Sequence, residues 1–128
     1  MGGKRKKQIY DLEERTTKFG KDLIRFCKKL PRTVVTKVFI RQVLRSGTSI
    51  GANYCEADNA ESTRDFIHKL CICRKEAYET AYWLDMIAEV LPQFREEAER
   101  LRQEAKELNL ILHAIIRNTK ENQKNISN

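Results

Sequence analysis

Apolar residues recur at steps of three and four along most of the chain, a spacing typical of α-helices rather than of strands. The two prolines, Pro31 and Pro92, each stand where a periodic stretch stops. A third break lies at 57–61. The spacing therefore predicts four helices joined by short connections, which is the pattern of an all-α, antiparallel up-down-up-down four-helix bundle.

Helix start and stop signals give approximate bounds for the four helices. Asp11 is a good N-cap for the first helix, Ser62 or Thr63 for the third, and Pro92 suits the first turn of the fourth. The predicted bounds are 11–30, 32 or 33 to about 56, 62 or 63 to about 91, and 92–117. We expect a basic flexible tail at 1–10, a bundle domain at 11–117 and a polar, frayed tail at 118–128.

One apolar stripe of each helix is expected to face the common core. The second helix is unusual because Gly47 and Gly51 lie inside it, and each costs about 1 kcal/mol relative to alanine. Either a neighbouring helix approaches closely there, or the helix kinks near Gly47. The predicted core positions are Leu12, Phe19, Leu23, Phe26 and Leu30; Val35, Phe39, Val43, Ser46, Ile50 and Asn53; Phe66, Leu70, Cys73, Ala77, Thr80 or Ala81, Leu84, Ala88 and Leu91; and Phe94, Ala98, Leu101, Ala105, Leu108, Leu112 and Ile115.

The third helix carries a second apolar face, about 165° from its core stripe at about 100° per residue. Isolated aromatic residues on a surface are common, but five large apolar side chains together indicate a subunit interface. The predicted interface residues are Ile72, Tyr82, Trp83, Met86 and Val90.

Charge is distributed unevenly along the chain. The net charge is +7, but residues 1–55 contain 14 basic and 4 acidic residues, whereas residues 56–128 contain 11 basic and 14 acidic ones. Basic side chains of the first two helices fall opposite the core stripes and predict a strip that binds nucleic acid through its phosphates. The alternative is a solvated face that keeps the protein soluble. The predicted nucleic-acid-binding residues are Lys18, Lys21, Arg25, Lys28, Lys29, Lys37, Arg41 and Arg45.

No catalytic, cofactor or metal motif is recognisable. His68 and His113 are the only imidazoles, and neither lies in a nucleophile or metal motif. Cys71 and Cys73 diverge by about 200° on a helix, so they do not hold one metal ion together. We therefore expect no enzyme, no cofactor and no metal site. The longest apolar stretch is too short for a membrane span, and no secretory signal is visible, so we expect a cytoplasmic protein with reduced thiols.

Three stretches resemble the 23S rRNA intervening-sequence protein family. They are 42–56, which contains Gln42-Val43-Leu44-Arg45-Ser46 and Ser49-Ile50-Gly51-Ala52-Asn53-Tyr54, then 64–70 and 75–84. The resemblance implies a four-helix bundle that assembles into a cyclic homopentamer, and RNA binding is suspected for the family. It supplies no catalytic residues. Its motif positions Arg45, Ser46, Asn53 and Glu56 are expected to have packing roles, whereas Cys55, Cys71 and Cys73 depart from the pattern.

Three functional hypotheses follow. The leading one is a non-enzymatic, oligomeric RNA-binding protein. The second is a structural or adaptor oligomer whose partner is a protein, for example a reverse transcriptase, as for similar accessory proteins of retroelements. The third is an enzyme or metal protein. Salt-sensitive RNA retention separates the first from the second, and metal analysis identifies the third.

Overall fold

The structure is a computed structural model that describes residues 11–127, with side chains as far as 126. Within that range the chain forms four α-helices and no strand, as the spacing of apolar residues predicts. The helices are α1 (Leu12–Lys29), α2 (Val34–Asp58), α3 (Thr63–Val90) and α4 (Arg95–Ser127), and a short 3₁₀ turn, Pro92–Phe94, precedes α4. The tail predicted at 1–10 lies outside the described residues.

Side-chain caps fix where the first three helices begin. The Asp11 carboxylate accepts a hydrogen bond from the Glu14 N–H, and the Ser62 hydroxyl accepts one from the Asp65 N–H at 3.0 Å. Thr33 caps α2, since its hydroxyl accepts from the backbone N–H of residue 36 while its own N–H donates back to the Thr36 hydroxyl. These starts agree with the predicted ones to within about one residue.

The fourth helix differs from its prediction at both ends. Pro92 opens a 3₁₀ turn, so α4 itself begins at Arg95, and it continues to Ser127 where fraying was expected from residue 118. Side chains at 120–126 are all exposed. Lys, Glu and Gln are good helix formers, so the backbone hydrogen bonds continue without core contacts. The end of the apolar pattern therefore marks the end of the core and not the end of the helix.

The buried residues form one core to which all four helices contribute. The stripes predicted for α1, α3 and α4 are buried or half-buried. The first turns of α2 depart from the prediction, because Val35 is 52% exposed while Thr36 and Ile40 are buried. The Thr36 hydroxyl donates to the Pro31 carbonyl at 2.6 Å, which holds Thr36 inward and turns Val35 toward solvent.

The small residues in the middle of α2 allow its neighbours to approach closely. A Cβ added at Gly47 would overlap the buried Leu23 side chain of α1 and would lie 3.6 Å from the Thr80 Cγ2 of α3. The hydroxyls of Ser46 and Thr80 hydrogen-bond at 2.8 Å, and both side chains are fully buried. Of the two interpretations of Gly47, the structure therefore supports close approach by neighbouring helices.

Burial raises the pKa of two of the four cysteine thiols. Desolvation raises the pKa of the Cys27 thiol to about 11 and that of Cys73 to about 12. Cys55 is exposed and Cys71 is half-buried.

In the part of the chain that the structure describes, no helix has the length and apolar content that a membrane crossing requires.

Replacing Gly47 with alanine should destabilise the fold. Alanine gains about 1 kcal/mol of helix propensity, but the overlap with Leu23 costs about 1–3 kcal/mol, so we expect the free energy of unfolding to fall. Urea unfolding followed by circular dichroism measures it. Gly20→Ala is the matched control, because an added Cβ there meets only ordinary contacts at 3.8–3.9 Å. A Gly47→Ala protein as stable as Gly20→Ala would contradict this account.

The four thiols should react at very different rates. At pH 8 iodoacetamide should label Cys55 first and Cys71 more slowly, whereas Cys27 and Cys73 should stay unlabelled until the protein unfolds, because they are buried and their pKa values are raised. Peptide mass spectrometry measures each site. The Cys55→Ser variant should lose the fast phase. Labelling of Cys73 as fast as that of Cys55 would show that the core is open there.

Candidate nucleic-acid interface

Three of the five predicted cations on α1 have acidic partners. Lys18 and Arg25 both pair with Asp22, at 2.8 and 3.1 Å, and Lys29 pairs with Glu97 of α4 at 2.6 Å. All three pairs are at least partly exposed, so each is worth at most about 1 kcal/mol. Lys21 and Lys28, in contrast, are exposed and form no ion pair with any described residue.

The cations on α2 divide in the same way. Lys37 and Arg41 are exposed and have no acidic partner among residues 11–127. Arg45 lies against α3, where its guanidinium pairs with Glu76 at 3.4 Å and with Glu79. Arg45 therefore links two helices and does not belong with the free cations. Its partners could not be foreseen from α2 alone.

The paired cations of α1 lie toward α4. Lys18, Arg25 and Lys29 line a surface concavity between α1 and α4 that also includes Glu97 and Glu104. A second concavity along α1 is lined by Lys18, Arg25 and Lys21, together with the acidic residues at 11, 13, 14 and 22. Ion pairing, and not position, therefore separates the predicted cations. The cations that remain exposed and unpaired are Lys21, Lys28, Lys37 and Arg41, and we refer to these four as the outer cations.

A second set of ion pairs between α1 and α4 was not foreseen from the sequence. Arg15 donates to both carboxylate oxygens of Glu104, at 2.7 and 2.8 Å, and to Glu107 at 2.7 Å. These hydrogen bonds raise the pKa of Arg15. The spacing of Glu104 and Glu107, one helical turn apart on α4, was the available signal. Part of the acidic excess after residue 56 is therefore used to hold α1.

The predicted subunit interface on α3 is only partly exposed. The Trp83 ring packs against Phe39 of α2 with centroids 6.0 Å apart, and its indole N–H donates to Glu79 at 2.8 Å. Ile72 and Met86 are half-buried, and Val90 is 37% exposed. Trp83 thus contributes to packing between α2 and α3, and Tyr82 contacts its ring at 5.0 Å from the exposed side.

Among residues 11–117, five large apolar side chains that the interface prediction did not select are exposed over more than half of their surface. They are Val34, Val35 and Val38 at the start of α2, Tyr78 on α3 and Leu110 on α4. We call the first three the valine patch. Hydropathy spacing assigned Val35 to the core and gave no signal for Tyr78 or Leu110.

Neither histidine has a catalytic arrangement around it in the described structure. His68 and His113 are both exposed. Among residues 11–127, no three His, Cys, Asp or Glu side chains gather in a way that could hold a metal ion.

Comparison with known proteins places this arrangement in a family. The model of the 23S rRNA-intervening sequence protein family matches residues 9–114. The crystal structure of a protein of unknown function from the S23 ribosomal protein family, from Bacteroides thetaiotaomicron, is 39% identical with a TM-score of 0.73, and the match covers 82% of this chain and 94% of that chain. Among curated proteins no match is found. Because the family match spans α1, α2, α3 and more than half of α4, the chain belongs to the 23S rRNA-intervening sequence protein family.

Proposed function

We propose that this chain is a non-enzymatic RNA-binding protein that contacts the phosphate backbone through the outer cations. The proposal rests on the exposure and pairing of the outer cations: all four are exposed, and none has a carboxylate partner within the described part of the chain. The family to which the chain belongs is named after an intervening sequence of 23S rRNA, which supports RNA over DNA as the ligand.

The distinction between paired and unpaired cations sets their expected contributions. A phosphate that approaches Lys29 must compete with Glu97, whereas a phosphate that approaches Lys28 displaces only water and counterions. We therefore rank the outer cations above Lys18, Arg25, Lys29 and Arg45 as RNA contacts. In the described part of the chain the exposed aromatic side chains are Tyr78 and Tyr82, which lie on α3 and not on the helices of the outer cations. The outer cations therefore recognise charge and backbone shape and not base sequence.

Contiguity of the outer cations is part of the proposal. Helices α1 and α2 pack side by side, with an ideal Cβ at Gly20 reaching 3.8 Å from Thr48 Cγ2 and one at Gly51 reaching 3.4 Å from Thr16 Oγ1. Two neighbouring helices with outward cations give a strip on which successive phosphates of one RNA bind. Such binding weakens steeply with salt because each contact releases counterions.

A matched pair of double variants tests the RNA proposal. Lys28→Gln with Arg41→Gln should weaken binding to a structured RNA at low salt and should make the slope of log K against log salt shallower by about two. Arg64→Gln with Lys75→Gln is the control, because it also removes one exposed unpaired Lys and one Arg, from α3. Fluorescence anisotropy at several salt concentrations measures both. Equal losses in the two variants would show that only net charge matters, and no loss in either would remove the proposal.

We propose further that the bundle is antiparallel, up-down-up-down, and that it assembles into a homo-oligomer, a pentamer by family resemblance. Contact pairs between α2 and α3 support the antiparallel order, since residue numbers rise in one helix as they fall in the other: Phe39 with Trp83, Ser46 with Thr80, Ile50 with Cys73, and Glu56 with Lys69. Assembly would also gather the +7 charge of each chain in one particle.

The valine patch is the surface that we assign to self-association. In the antiparallel order the start of α2 lies near the end of α3, which places the valine patch at the same end of the bundle as Val90 and Met86, two of the predicted interface residues. Exposed apolar side chains bury well against a second copy. Lys37 and Arg41 follow Val34 and Val38 by one helical turn each and border this surface. We therefore propose an interface that spans α2 and α3 in place of the predicted one on α3 alone. Trp83 is not part of it, because its ring packs against Phe39.

Polar substitution of the valine patch should reduce the subunit number. Val34→Gln with Val38→Gln removes exposed apolar area without emptying the core, so we expect a smaller particle with unchanged helix content. Light scattering after size exclusion gives the mass, and circular dichroism checks the fold. Ile126→Gln is the control, since Ile126 is 85% exposed and lies on α4, away from the valine patch in the chain. The proposal fails for this surface when the double variant keeps the mass of the unmodified protein.

The valine patch also favours the second candidate function, an adaptor for a protein partner such as a reverse transcriptase. Apolar side chains suit a protein surface and not a phosphate backbone. RNA retention that is insensitive to salt and to Lys28→Gln with Arg41→Gln would favour this adaptor role.

In both proposals the protein needs no cofactor and works in a reducing cytosol, and four cysteines without disulfides among residues 11–127 fit that compartment.

A further inference from the structure

A groove between α3 and α4 exposes two tyrosines one helical turn apart. Tyr78 is 72% exposed and Tyr82 is 54% exposed, and Leu110 of α4 faces the same groove. Ala81 also lines the groove, which forms a concavity of about 360 Å³. A groove of this size accommodates a flat organic group the size of one nucleobase or two.

The positions of the two rings are fixed to different degrees. The Tyr82 ring makes an edge contact with Trp83 at 5.0 Å and an interplanar angle of 72°, so the packed α2–α3 junction supports it. Tyr78 has no hydrogen bond or ring contact with any described residue. A ligand that enters the groove therefore meets one supported aromatic ring and one that is free to adjust its rotamer.

Charged and polar groups border the groove on both helices. From α4, Lys106 forms no ion pair with a described residue, while Arg102 pairs with Glu99 at 3.0 Å. From α3, Asp85 is exposed and likewise has no ion pair with residues 11–127. Aromatic faces next to free cations are the combination that the outer cations of α1 and α2 lack.

One polar side chain in the groove is held in a fixed orientation. The Asn109 side-chain N–H donates to the Arg74 carbonyl at 2.9 Å. Its amide oxygen then has no donor in the described structure and is available to a ligand, as is the Asp85 carboxylate. These two acceptors match the exocyclic amino and ring N–H donors of nucleobases.

A row of basic residues continues from the groove along α4. Lys106, His113, Arg117, Lys120 and Lys124 fall within about 60° of one another on the helix, over a length of about 27 Å. The last four line one shallow concavity, which they share with a single acid, Glu121. Arg117, Lys120 and Lys124 form no ion pair with the described residues. The row exists as a surface only because α4 remains helical beyond residue 117.

We propose that this groove binds an unpaired nucleotide of RNA, with the base stacked on Tyr78 and Tyr82 and the following phosphates on Lys106 and the basic row of α4. The inference rests on the proposed function and adds a site for single-stranded segments to a surface that binds by charge. Stacking on tyrosine accepts any base, so the site prefers unpaired over paired RNA without a sequence preference.

Charge complementarity selects this occupant over a second copy of the chain. A helix packed into the groove would have to desolvate Lys106 and Asp85, and an apolar surface such as the valine patch offers them no partner. A single strand places its bases on the aromatic faces and its phosphates along the cations, so both parts of the surface are used.

Tyr78 substitutions test the proposal on the full-length protein. We expect Tyr78→Ala to bind a fluorescein-labelled 12-nucleotide oligouridine about tenfold more weakly and to bind a blunt RNA duplex as the unmodified protein does. Tyr78→Phe keeps the stacking face and should keep both affinities. Lys106→Gln should weaken oligouridine binding, whereas Lys75→Gln, which removes an exposed cation on α3 outside the groove, should not. Anisotropy at constant salt measures all of them.

Each alternative outcome has its own meaning. Unchanged oligouridine binding by Tyr78→Ala, or equal losses for oligouridine and duplex, would overturn the stacking site. A change in oligomer mass with Tyr78→Ala would show that the groove is a subunit interface and would also overturn it. The duplex with Lys28→Gln and Arg41→Gln reports separately on the proposed function. Loss of the tyrosine effect with salt-sensitive duplex binding intact therefore removes only the groove.

Discussion

The close approach of three helices at Gly47 is the constraint on which the arrangement of surfaces depends. With no side chain at that position, Leu23 of α1 and Thr80 of α3 both reach the backbone of α2. The buried Ser46–Thr80 hydrogen bond satisfies the polar groups that this contact encloses, at a net gain of about 1 kcal/mol. Because the inward side of α2 is occupied in this way, its charged residues must lie outward or at the edge of a neighbouring helix.

Ion pairs then decide which outward cations are available to a ligand. Asp22, Glu97, Glu76 and Glu79 each hold one or more of the cations that a helical projection would place on the basic strip. On α4 the acids Glu104 and Glu107 turn to Arg15, which leaves the basic edge of that helix, from Lys106 onward, largely unopposed. A count of charges over residues 56–128 shows only an acidic excess. It does not reveal that the acidic and the basic residues of α4 lie on different edges of that helix.

The number of helices, their caps and most of the core could be predicted from the sequence, because periodicity and capping are local properties. Which side of the first turns of α2 faces the core could not be predicted. The Thr33–Thr36 capping box and the Thr36–Pro31 hydrogen bond hold Thr36 inward, and Val35, although apolar, therefore faces solvent. The partner of Arg45 lies 31 or 34 residues away on α3, and the contact of Trp83 with Phe39 also needs the packed pair of helices. The apolar pattern of α4 stops before the helix does, so the basic row beyond Arg117 was interpreted as part of a frayed tail.

The four motif positions of the family resemblance make contacts within the bundle. Arg45 pairs with α3, Ser46 hydrogen-bonds to Thr80, Asn53 donates to the Ser49 carbonyl at 2.9 Å, and Glu56 pairs with Lys69 at 2.6 Å. A signature built from such contacts identifies the fold, and a fold by itself does not determine a ligand. The two proposed ligand surfaces differ in this respect. The outer cations of α1 and α2 lie outside the three signature stretches, whereas Tyr78 and Tyr82 lie within 75–84. The proposed groove therefore uses signature positions that the packing contacts leave exposed.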